Sequence, residues 1–170
     1  MYTVNKHDLV HELTDVPFPS SGAPEPLVLA KEDTLVVAFL PAAPSSEQAS
    51  AAGLGSATPA RTIIVVFHEC YAIHFGLPND EAFASHPLAD RGLHPCGAFE
   101  VEHSSWLTGL NLRNRAHPRH NPEEFQRLHH WVWTFHDSVL ECAAQSYEVM
   151  DAPGRPGEVI PRMQVLLRAE

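Results

Sequence analysis

The chain has 170 residues, 44% of them hydrophobic, enough for one domain (residues 1–170) with a core that needs neither disulfides nor a structural metal. Eleven basic residues against 21 acidic ones give a net charge of −10, which repels phosphate backbones and anionic lipid, so nucleic-acid and membrane partners are not expected. Three widely spaced cysteines without a C-x-x-C, no signal-peptide pattern and no long apolar run point to a reducing compartment, with the cytoplasm as the expected location.

The 12 histidines qualify the charge: protonating all of them would turn −10 into +2. Residues 1–26 carry no strong pattern. Leu27–Leu29 and Leu35–Phe39, separated by Lys31-Glu32-Asp33, read as a hairpin. Residues 41–60, rich in Ala, Ser, Pro and Gly, read as a flexible excursion between strands. Thr62–Phe67 is β-branched and apolar on both faces, as a central strand should be, and runs on towards Phe75. Asn79-Asp80-Glu81 caps a helical turn. A further strand is expected from Ala98 to Trp106 and a short helix from Asn121-Pro122 to Leu128.

In the segment from His130 to Val149, Trp131, Trp133 and Phe135 alternate with Val132, Thr134 and His136. A two-residue turn at Asp137-Ser138 would put the aromatics on one face, opposite Ala144, Cys142 and Leu140, and bring His136 diagonally near Glu141. A last strand is expected from Met163 to Leu167. Six or more strands with one or two short helices make the expected fold mainly β, an antiparallel β-sandwich or β-barrel. An α+β fold, with a helix over an antiparallel sheet, is the alternative.

Four groups of residues have the parts for chemistry. His68, Cys70 and His74 stand at even positions, so one extended strand would project all three to one side as ligands for a single zinc, iron or copper ion. His136 and Glu141 have the parts for general acid–base catalysis. His103 and Trp106 could line a ligand pocket, and Arg113 and Arg115, in the only basic cluster, could take a carboxylate or phosphate.

The rhythm of His68-x-Cys70-x3-His74 is similar to the first cupin metal motif, His-x-His-x3-Glu. Pro95-x-Gly97-x2-Glu100 is similar to the second, which has His in place of this Glu. The chain departs from that pattern in lacking the leading glycines, at positions 62 and 89, in two ligand types of the first motif and in the missing Asn. A metal site in a β-barrel is what the resemblance implies.

No G-x-G-x-x-G, P-loop, H-E-x-x-H or G-x-S-x-G is present. The leading expectation is a small β-barrel or sandwich enzyme that acts on a small molecule through a His/carboxylate pocket, with or without one metal ion. The other is a non-enzymatic ligand-binding or interaction module whose histidines are structural. Homo-oligomer formation is compatible with either.

Overall fold

The computed structural model describes residues 2–22, 25–43 and 60–169. Among these residues, nine antiparallel strands form two sheets. The first has five strands in the order β1 (Leu9–Glu12), β6 (Ala98–Glu102), β7 (His129–Thr134), β8 (Val139–Ala144), β5 (Ala72–Gly76). The second has four, in the order β2 (Leu27–Ala30), β3 (Thr34–Phe39), β4 (Arg61–His68), β9 (Ser146–Pro153). The sheets pack face to face as a sandwich and do not close into a barrel. The expected excursion at 41–60 lies, apart from its ends, outside the described residues.

Alternation sorts the side chains into layers. Odd-numbered residues of β3 and β4 (Leu35, Val37, Phe39, Ile63, Val65, Phe67) meet Trp131, Trp133, Leu140 and Cys142 between the sheets. Even-numbered ones (Val36, Ala38, Ile64, Val66) face outward and are covered by Met163 of a helix, α3 (Ile160–Arg168), and by Val159 in the turn before it. β4 is thus apolar on both faces because both are buried. The 163–167 segment, expected as a strand, is helical. Val159, Met163, Leu166 and Leu167 recur at the helical period, and Pro161 sits in the first turn, where its missing N–H costs nothing.

The outer face of the five-stranded sheet is covered differently, by the N-terminal segment and the 83–93 loop. Phe99, Val101, Val132 and Val139 meet Phe83, Leu88, Leu93, Tyr2 and Val4 there. The strand expected to reach Trp106 stops at Glu102. His103 takes a left-handed φ of 54°, and a helix follows, α1 (Ser105–Asn114). Ser104 caps it, its Oγ accepting from Leu107 N–H at 3.2 Å. The buried Asp8 carboxylate accepts from Ser105 N–H and from Ser105 Oγ–H, each at 2.6 Å, placing an anion at the positive end of the helix. The short helix α2 (Pro122–Gln126) starts as expected on Asn121, whose Oδ1 accepts from Glu123 N–H.

The β7–β8 hairpin turns at His136-Asp137, one residue earlier than expected, with Phe135 N–H bonded to the Ser138 carbonyl at 2.8 Å. Moving a hairpin turn by one residue slides the register by two. Trp131 therefore lies opposite Cys142 and Trp133 opposite Leu140. An even slip preserves faces, so the tryptophans stay in the sandwich core.

Candidate functional site

The expected metal triad is split between the two sheets. The chain leaves β4 at His68, turns through Glu69 with φ 50°, and joins the other sheet at Ala72. The switch is held by Cys70 N–H on the Asp33 carbonyl (2.8 Å) and Tyr71 N–H on the Ala143 carbonyl (2.7 Å). The parity argument needed one unbroken strand, and the break removes it. His68 faces Glu148 at 3.8 Å at the end of β4, Cys70 is buried in the sandwich core with Cys142, and His74 lies on the far face of the other sheet. Among the described residues, no group of three or more His, Cys, Asp or Glu side chains is placed to hold a metal ion.

His136 is also parted from Glu141. It stands at the hairpin tip beside Asp137 (3.0 Å) and Asp80 (3.6 Å). The hydrogen bond to Asp137 and the charge of Asp80 raise its pKa. The same register puts Val132 opposite Glu141 and His130 diagonal to it on the same face.

Glu141 is the centre of a buried polar network. Its Oε2 accepts from the Tyr2 hydroxyl and lies 2.9 Å from Nε2 of the fully buried His130. His130 Nδ1 is 2.9 Å from Ser104 Oγ. The ionised Glu141 carboxylate can only accept, so His130 carries its proton on Nε2; in the neutral ring Nδ1 then accepts from the Ser104 hydroxyl, whose oxygen accepts in turn from Leu107 N–H. This relay ties the N-terminal segment, α1, β7 and β8 together. Burial pushes the Glu141 carboxyl pKa up, but His130, the nearby His86 N–H and Tyr2 outweigh it and hold the group ionised well below the usual carboxylate range. Burial and the Glu141 charge push the Tyr2 phenol up.

The other oxygen, Oε1, is less well served. His86 Nε2 is 3.5 Å away and His74 Nδ1 3.7 Å, both beyond an ordinary hydrogen bond. Oε1 faces a cleft of about 260 Å³ walled by Tyr2, Leu77, Pro78, Pro87 and Trp106, with Arg113 also lining it. Tyr2 and Trp106 are stacked at 5.9 Å, and Trp106 packs on His130 at 4.7 Å. His74 is half exposed in this cleft, with 56% of its side chain accessible, whereas His86 is buried.

Four residues picked out in the sequence therefore meet here: His74, Trp106, Arg113 and Glu141. His103 lines a separate open groove with Asn5, His7 and Glu102, and Arg115 is exposed at the C-terminal end of α1. Tyr2, His86 and His130 were not picked out. Parity gave a signal for His130, which is even-numbered like Val132 and so shares their face. Tyr2 and His86 come from segments without periodicity, and nothing in their neighbourhood marks them. Compared with known protein families, curated proteins and solved structures, the chain has no match.

Proposed function

We propose that this protein binds a small molecule in the Glu141 cleft and acts on it by proton transfer, with His74 as the group that moves the proton. The observation that carries this reading is Oε1 of a buried, ionised carboxylate, without a close donor among the described residues, in the lining of a walled cleft and beside a half-exposed imidazole. A carboxylate held so firmly ionised is a poor base; it serves to orient His74 and to stabilise the imidazolium. An imidazole can both take a proton and give one. Tyr2, Trp106 and the two prolines supply apolar walls that bury a ligand, and the few polar groups orient it.

The competing reading is a binding protein without chemistry. It is favoured by the way the Glu141 network joins four parts of the chain, a structural task in its own right. A fragment screen followed by turnover assays on the compounds that bind separates the two. The enzyme reading expects turnover that His74→Ala lowers by roughly 10²–10⁴-fold, the usual worth of a general acid or base, with little change in affinity. Binding with no turnover of any bound compound would favour the binding protein.

A further inference from the structure

The cleft carries a more specific instruction, which rests on its being the functional site. His86 Nδ1 accepts from Leu88 N–H at 3.2 Å, so that nitrogen presents a lone pair and the ring proton is on Nε2. Nε2–H is buried, has no hydrogen-bond partner among the described residues, and lies 3.5 Å from Glu141 Oε1. An unpartnered donor and an under-served acceptor thus lie side by side in the lining of the cleft. A ligand that leaves either unsatisfied loses affinity, because a buried polar group without a partner keeps its full desolvation penalty.

The pair selects by chemistry. A carboxylate or carbonyl could accept from His86 but would set its lone pairs against Glu141. An ammonium could donate to Glu141 but would meet the His86 proton. A metal ion needs a lone pair on Nε2, and the Leu88 bond holds that lone pair on Nδ1. A hydroxyl oxygen both accepts and donates, and answers both groups at once. The cleft is far larger than the roughly 30 Å³ share of one water, and its indole, phenol, leucine and proline walls suit a flat ring.

We propose that the cleft takes the hydroxyl of an aromatic small molecule, a phenol or an aromatic alcohol, with the oxygen accepting from His86 Nε2–H and donating to Glu141 Oε1. His74 then lies beside the same hydroxyl.

The test uses the full chain and four probes, phenol, anisole, benzoate and benzylamine, with the Trp106 indole N–H followed by NMR at neutral pH. The proposal expects phenol to shift Trp106 with a Kd at least ten-fold below those of the other three. It also expects His86→Phe, which keeps the ring and removes the donor, to cut the preference for phenol over anisole to three-fold or less; His86→Gln, which restores an N–H, should recover part of it. Anisole, benzoate or benzylamine binding as tightly as phenol would overturn the hydroxyl proposal and leave the cleft standing as a site. No probe shifting Trp106 would overturn both.

Discussion

Replacing Glu141 with Gln keeps the side chain's shape and removes its charge, so the hydrogen bonds from Tyr2 and His130 weaken without leaving a void. A loss of roughly 1–3 kcal/mol in unfolding free energy is expected. The pH dependence has a definite sign. A carboxyl whose pKa is lowered on folding stabilises fully above its unfolded value, about 4.3, and less as pH falls towards the folded value. The stability gap between wild type and Glu141→Gln, measured by urea unfolding, should therefore hold from pH 7 to about 5 and close below about 4. A gap that widened on acidification would contradict the ionised carboxylate. His136 gives a second check at this scale. Its resonance should titrate above the ordinary imidazole range, and Asp137→Asn should bring it down, because that carboxylate is the largest cause of the shift. Which residues were candidates was partly legible in the sequence; which of them meet was not. His74 and Glu141 are cross-strand neighbours on β5 and β8, a pairing that no local spacing encodes.

The elements show where sequence patterns lose their hold. α1 reads as the end of a strand because Thr108 and Gly109 are weak helix formers and the carboxylate that supports its first turn comes from Asp8, 97 positions before Ser105. Asp8→Ala should cost roughly 1–3 kcal/mol and speed amide exchange at Ser105 and in residues 2–8; unchanged exchange there would show that the carboxylate does not hold the segment. α3 has the apolar period of a helix, but it is short, and Met163-Gln-Val-Leu-Leu also fits a strand. Met163 is fully buried against the four-stranded sheet, so Met163→Ala should destabilise by roughly 2–5 kcal/mol. An effect under half a kcal/mol would mean that the helix does not pack there. The β7–β8 hairpin shows how an expectation survives an error. Its turn falls one residue early and its register is off by two, yet the aromatic face is unchanged because strand faces repeat every two residues.

For the whole molecule, binary patterning was enough to give an antiparallel β fold. It could not choose between a sandwich and a barrel, because both hide alternate residues. Glu69 decides part of that: its left-handed backbone takes the chain from one sheet to the other and breaks the even-numbered run on which the metal expectation stood. No helix of the described residues is long and apolar enough to cross a membrane. The proposed function puts the ligand in the cleft over Glu141. The most direct test is a fragment screen run in parallel on the wild-type chain and on Glu141→Gln, with every backbone and indole N–H followed by NMR. Fragments bound by the wild type should shift Trp106 and the residues around His86, and should bind Glu141→Gln at least ten-fold more weakly. Fragments that gather elsewhere, or bind both proteins alike, would contradict that placement.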